Sequence, residues 1–221
     1  MAHETEIKLR IENAASFRRK LKKLGARSVS GGMGRVHEWN VIFDTPDGGL
    51  AKHGQLLRIR TETPEGRTNK TKGSAAGRVV LTFKRPAMPA ETQPSRERRI
   101  VKAGRHKVRE EIELEVADAE NLTKVFEGLG MRGWFRYEKY RTTFALPATS
   151  PWARNLLIEL DETPIGTFVE LEGPAEAIDR AARELGYSPR DYVLKNYLVL
   201  YAEECRRRNE EPRDMVFAKP K

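Results

Sequence analysis

Glu4-Thr5-Glu6-Ile7-Lys8 places two carboxylates and an ammonium at alternate positions. Side chains two residues apart point to the same side of a β-strand, so Glu4, Glu6 and Lys8 share one face while Thr5, Ile7 and Leu9 share the other. A single doublet of this kind is the ordinary wet face of a half-buried sheet. The pattern recurs, however, at Arg58/Arg60, Glu111/Glu113, Lys139/Arg141, Glu159/Asp161 and Glu170/Glu172, each in a short segment that otherwise reads as a strand. The opposite faces are apolar: Leu57 and Ile59, Leu81 and Phe83, Ile112 and Leu114, Val169 and Leu171. Six charged stripes backed by apolar ones call for one explanation. An antiparallel sheet packed against outer helices supplies it, with the charged faces either meeting bulk water or converging inside a barrel.

Composition narrows the setting. The 221 residues suit one large domain or two small ones, and 41 Lys+Arg against 32 Asp+Glu give a formal charge of +9. Such a balance favours anionic partners. Acids nevertheless sit in the same periodic segments as bases, and interleaved carboxylates repel nucleic-acid phosphates, so a plain nucleic-acid binder is disfavoured. Cys205 is the only cysteine, which excludes an intramolecular disulfide and a cysteine-based metal site and points to a reducing environment. There is no apolar signal core at the N-terminus and no apolar run of about 18 residues. The expectation is a soluble cytoplasmic protein without a membrane association.

Periodicity and punctuation predict strands over residues 3–11, 35–44, 55–61, 78–85, 96–101, 108–116, 134–146, 155–161 and 168–172. Asn13 caps a helix to Leu24 with the stripe Phe17, Leu21 and Leu24. Asp118 caps a second helix to Leu129, with Leu122, Val125, Phe126 and Leu129 turned inward. Pro174 begins a third, reaching Leu185, and Ser188-Pro189 a fourth, running to about Arg207. Residues 64–77 and 86–94 read as loops, and the polar tail after Asn209 as frayed. A weak repeat runs through this order. Glu4/Glu6 followed by a helix ending Leu24-Gly25-Ala26-Arg27 is echoed by Glu111/Glu113 followed by a helix ending Leu129-Gly130-Met131-Arg132.

The stripes are also sorted by sign, acids on some strands and bases on others, which an open wet sheet does not require. Sorting suits a lumen with a cation side and a phosphate side. The four histidines show no metal-like spacing, and Gly31-Gly32-Met33-Gly34 precedes a strand pattern, so it fails as a phosphate loop of the strand–loop–helix kind.

In order along the chain stand Glu4-x-Glu6-x-Lys8, Leu57-Arg58-Ile59-Arg60, Leu81-Thr82-Phe83-Lys84-Arg85-Pro86, Arg109-Glu110-Glu111-Ile112-Glu113, Lys139-Tyr140-Arg141, and Leu160-Asp161 through Gly166-Thr167-Phe168-Val169-Glu170-Leu171-Glu172. This set resembles the CYTH superfamily, the triphosphate tunnel metalloenzymes, which includes class IV adenylate cyclases, thiamine triphosphatases and inorganic triphosphatases. The likeness spans roughly residues 2–205. It implies an α+β protein: an eight-stranded antiparallel β-barrel with helices packed outside, formed by one domain over residues 1–208 and followed by a polar tail, 209–221. It implies metal ligands among Glu4, Glu6, Glu111, Glu113, Asp161, Glu170 and Glu172, and phosphate ligands in Lys8, Arg58, Arg60, Lys84, Lys139 and Arg141. Lys195, on the last helix, matches a late basic position. Glu4, Glu6, Lys8 and Asp161 are then the catalytic candidates, and Glu115, of the same parity as Glu111 and Glu113, leaves open which pair lies deepest.

Elementary chemistry agrees with the resemblance. Carboxylates are hard ligands for Mg²⁺ or Mn²⁺, Arg grips phosphate oxygens in pairs, and Lys acts as a point charge. Three functions follow as expectations. The first is metal-dependent hydrolysis of tripolyphosphate, ATP or a similar triphosphate-bearing small molecule. The second is cyclisation of ATP to cyclic AMP and pyrophosphate, and the third is polyphosphate or nucleotide binding without turnover. A monomer or a homodimer is compatible with each.

Overall fold

Strand β1 (Ala2–Ile11) alternates as the opening motif requires: Ile7, Leu9 and Ile11 are buried on one side, Glu4, Glu6 and Lys8 on the other. A strand buried on both faces needs neighbours on both edges as well. β1 pairs antiparallel with β6 (Lys107–Val116), Glu4 opposite Arg109, and with β9 (Gly166–Glu172), Lys8 opposite Glu170. The computed structural model describes residues 2–29, 34–65, 77–87 and 104–218. The expected strand over 96–101, most of both expected loops and Gly31-Gly32-Met33 lie outside the described residues.

The remaining strands are β2 (Arg27–Ser28), β3 (Val36–Asp44), β4 (Leu56–Pro64), β5 (Arg78–Pro86), β7 (Arg132–Ala145) and β8 (Leu157–Thr163). They follow the order β2-β7-β3-β4-β5-β6-β1-β9-β8, and pairing of β7 with β8, Arg141 opposite Asp161, joins the two ends. The result is a closed antiparallel barrel of eight strands with β2 added outside the ring. Closure decides between the two readings of the charged stripes: they face a lumen.

Helices cover the outer apolar faces. α1 (Ala14–Lys23) and α4 (Ala175–Glu184) bury Phe17, Leu21, Ile178 and Ala181 against Ile7, Leu9, Ile158 and Leu171. After the one-turn α2 (Gly49–Lys52), α3 (Ala119–Gly128) seats Phe126 on Phe43, Leu57, Ile59 and Val79. Burial of each such side chain contributes roughly 1.5–3 kcal/mol. The two helices of the sequence repeat begin and end alike. α1 and α3 start on side-chain caps at Asn13 and Asp118 and end at Gly25 and Gly130, whose φ of 74° and 82° lie where a Cβ is costly.

Four sequence expectations are corrected. The fourth helix is two pieces: a single 3-10 turn at Pro189–Asp191, then α5 (Tyr197–Arg208). Between them Val193 exchanges both backbone hydrogen bonds with Lys8, at 3.2 and 2.8 Å, because β6 has stopped at Lys107 and left that stretch of β1 unpaired. The tail is not frayed. Met215 is 0% exposed and forms a parallel bridge to Tyr137, where β7 has no β8 beside it, since their pairing begins only at Tyr140. Asp214 accepts from the Arg136 amide and Glu138 from the Phe217 amide. The inner stripe of α3 is narrower than expected, because Val125 and Leu129 face solvent. The outward face of β6 is also not a core face among the described residues: α3 lies over β4, leaving Ile112 and Leu114 exposed.

Candidate active site

Around the circumference β6, β1, β9 and β8 stand together, as do β7, β3, β4 and β5. The first arc carries Glu111, Glu113, Glu4, Glu6, Glu170, Glu172 and Glu159; the second carries Lys139, Arg141, Arg58, Arg60 and Lys84. Strand order thus gathers the stripes into an acidic wall and a basic wall around a cavity of about 500 Å³. Among the described residues nine glutamates and eight lysines or arginines line it. One end is covered by Asn196, Tyr197 and Leu198 at the start of α5, where Val193 and Met215 fill the two gaps in the wall.

Hydrogen bonds and ion pairs run both within and between the walls. Lys84 donates to Glu4 at 2.6 Å and lies 3.0 Å from Glu111; Lys8 donates to Glu170 at 2.6 Å; Lys107 donates to Glu6. Arg141 forks onto Asp161 at 2.7 Å for both contacts and reaches Glu159 and Glu170 as well. Arg58 donates to the Tyr137 hydroxyl at 3.1 Å and to Thr82 at 3.0 Å, and Thr82 in turn donates to Glu113 at 2.9 Å. Such a buried network is a poor way to stabilise a fold compared with apolar packing, so its presence points to a ligand.

The charges are unevenly satisfied. Burial alone would raise Glu6 and Glu170, but Lys8, joined by Lys107 and Lys84 at Glu6 and by Lys139 and Arg141 at Glu170, overrides it and holds both carboxyls below their usual range. Burial also opposes the charge on Lys8 and Lys84; Glu170 beside the first and Glu4 beside the second nonetheless raise these amines. On the acidic wall three carboxyls go the other way. Burial, then Glu4 and Glu113 nearby, push Glu111 to about 7 despite Lys84. Burial with Glu170 and Asp161 brings Glu159 to about 7 against the pull of Arg141. Burial with Glu159 and Glu4 drives Glu172 to about 8. Without a ligand the acidic wall therefore holds more carboxyls than its cations can keep ionised.

Twelve of the fourteen expected site residues line the cavity: Glu4, Glu6, Lys8, Arg58, Arg60, Lys84, Glu111, Glu113, Lys139, Arg141, Glu170 and Glu172. Asp161 shares the inward face of β8 with Glu159 but is 0% exposed, covered by the groups it accepts from: Lys139, Arg141 and the Tyr197 hydroxyl. Lys195 precedes α5 rather than sitting on it, and its ammonium pairs at the surface with Glu203 at 2.6 Å. Glu115 turns to Arg78 near the rim, which leaves Glu111 and Glu113 as the β6 pair of the lumen. Residues passed over in sequence also line the cavity. Glu38 has no charged partner two residues away, Tyr137 is an uncharged neighbour of the Lys139/Arg141 stripe, Lys107 precedes its stripe, and Tyr197 begins a helix that starts later than the sequence pattern suggests.

A closed barrel whose cavity is lined by opposed acidic and basic walls has the chemistry to take an anionic group together with a cation. The CYTH domain profile matches residues 2–197, and the chain belongs to the CYTH family. A Methanocaldococcus jannaschii protein provisionally named as an adenylate cyclase is 24% identical over 208 residues, covering 89% of this chain and 97% of its own. Among solved structures, a Pyrococcus horikoshii protein aligns with a TM-score of 0.64 at 21% identity, over 91% of this chain and 99% of that one. A Hippeastrum protein, provisionally named as an adenylyl cyclase and described as revealing a dominant triphosphatase activity, aligns with a TM-score of 0.52 at 18% identity over 95% and 97%. No helix among the described residues is long and apolar enough to cross a membrane.

Proposed function

We propose that the lumen binds the triphosphate group of a small molecule and, with Mg²⁺ or Mn²⁺, hydrolyses it. The opposition of the two walls carries this reading. Arg58, Arg60, Lys84, Lys139 and Arg141, with Lys8 from the far side, supply donors for a chain of phosphate oxygens. Among the described residues no three His, Cys, Asp or Glu side chains form a ready metal cage. The donor set fits a hard cation all the same: Glu111, Glu159 and Glu172 are carboxyls short of positive charge, beside Glu4, Glu6, Glu113 and Glu170. A divalent ion held by a subset of them would neutralise charge on the transferring phosphoryl group.

The chain's own side chains do the positioning. Lys139 and Arg141 are each held by hydrogen bonds to Asp161, which positions them for the incoming anion. Arg58, fixed by Tyr137 and Thr82, presents its guanidinium from the opposite side of the basic wall. These charged groups address phosphate or metal, which favours hydrolysis of tripolyphosphate over chemistry that depends on reading a nucleobase. The M. jannaschii relative's name favours cyclisation of ATP, and the Hippeastrum description includes both activities.

Incubation of the metal-depleted protein with tripolyphosphate or ATP, with and without added Mg²⁺ or Mn²⁺, tests the reading. Phosphate release from tripolyphosphate, dependent on added metal and faster than any turnover of ATP, is expected. Cyclic AMP and pyrophosphate from ATP, with tripolyphosphate left intact, would establish the cyclase instead. Tight binding of either without products would leave a binding module.

A further inference from the structure

On β3, flanked in the basic wall by β7 and β4, the deep charged residue is an acid, Glu38. It is 2% exposed and stands opposite Lys139 in the β3–β7 register. Its carboxylate lies 3.3 Å from Arg60, 3.4 Å from Lys139 and 3.5 Å from Arg141. Asp161, which shares two of these cations, is bound differently: it accepts short, well-directed hydrogen bonds at 2.7 Å from Lys139, Arg141 and Tyr197. Glu38 touches three cations at longer range, and its Oε2 has no hydrogen-bond partner. A carboxylate kept for stability alone would be saturated as Asp161 is.

We propose that Glu38 is a positioning residue, a resident counter-anion that holds Arg60, Lys139 and Arg141 around one point and limits how tightly the lumen grips phosphate. This rests on the triphosphate reading of the lumen. Asp161 already offsets Lys139 and Arg141, and Glu38 is the carboxylate that also reaches Arg60; without it Arg60 and Arg141 would repel each other across that point and the Arg60 side chain would turn away. Glu38 keeps their charged ends together before the substrate arrives, so less ordering remains to be done on binding. The same negative charge repels the incoming phosphate. It directs the anion to the side of the cations that faces the acidic wall, and it weakens the hold on the product after reaction.

The test is calorimetric titration of tripolyphosphate in chelator, with kcat and KM measured separately in Mg²⁺, for wild type, Glu38→Gln, Glu38→Asp and Asn40→Asp. Glu38→Gln is expected to bind tripolyphosphate roughly tenfold more tightly, with both KM and kcat lowered, and Glu38→Asp to return all three towards wild type. Asn40 accepts a hydrogen bond from Arg60 Nε at 3.1 Å, so Asn40→Asp puts a second carboxylate beside the same guanidinium. It should weaken binding several-fold, and it remains informative if Glu38→Gln does not fold. Binding by Glu38→Gln at or below wild-type strength, or by Asn40→Asp at wild-type strength, would overturn the proposal. A wild-type protein that does not bind tripolyphosphate would overturn the reading of the lumen itself, a distinct outcome.

Discussion

Truncating Met215 to alanine tests how the barrel is closed at its covered end. The side chain is fully buried in a cluster with Phe135, Tyr137, Ile165, Phe168, Tyr197 and Leu200. Removing a buried methionine side chain costs about 2–5 kcal/mol, and the aromatic rings around this one leave little room to collapse, so about 3 kcal/mol is expected. For a chain of this size that lowers Tm by about 6–12 °C. The neighbouring Val216 is 38% exposed, and Val216→Ala should stay within about 0.5 kcal/mol of wild type. Thermal melting followed by circular dichroism reads both. Hydrogen exchange adds a local readout, because the Glu138 amide donates to the Met215 carbonyl at 3.0 Å and the Met215 amide to that of Arg136 at 2.9 Å. Both amides should lose protection in Met215→Ala before the rest of the sheet does. A melting point within about 1 °C of wild type, with protection unchanged, would show that the tail does not hold the wall.

Two further perturbations address the lumen. Arg58→Ala or Arg141→Ala removes charge-assisted contacts of about 1.5–3 kcal/mol each and should weaken tripolyphosphate binding at least tenfold, whereas Arg207→Ala, which breaks only a surface pair with Glu204, should leave it unchanged; equal losses at all three would mean a diffuse basic surface. Glu172 has a folded pKa raised to about 8 from an ordinary 4.5, so its contribution to stability is complete below pH 4.5 and is lost as pH rises through 8. In chelator, Glu172→Gln should therefore melt higher than wild type at pH 9, by about 2 kcal/mol after allowing for its partial exposure, and match it near pH 5; the same difference at both pH values would refute the assignment.

The sequence carried the barrel because its strands alternate strictly: Ile7 and Leu9 against Glu6 and Lys8, Leu57 and Ile59 against Arg58 and Arg60. Paired charges two residues apart are visible without knowing which strand lies beside which. Glu38 was invisible for the same reason, since its own face continues with Val36 and Asn40, and only the pairing of β3 with β7 and β4 surrounds it with cations. Ser188-Pro189 reads as the start of one continuous helix to about Arg207, but an unpaired edge of β1 outcompetes helical propensity at Val193. Tertiary demand also captured Met215 from a segment whose composition reads as solvated. Lys195 followed from the misplaced helix start.

The two gaps at the covered end bear on how the protein is made. β1 is translated first, yet it takes β6 on one edge, β9 on the other, and Val193 beyond β6. The β7 wall is complete only after Met215, six residues from the end of the 221-residue chain. Contacts so distant in sequence make folding slow, because the chain pays the entropy of closing long loops before they are rewarded. The ring itself needs none of this last stretch: β7 pairs directly with β8, all described strands end by Glu172, and the segment carrying Val193 and Met215 then adds one bridge to β1 and one to β7.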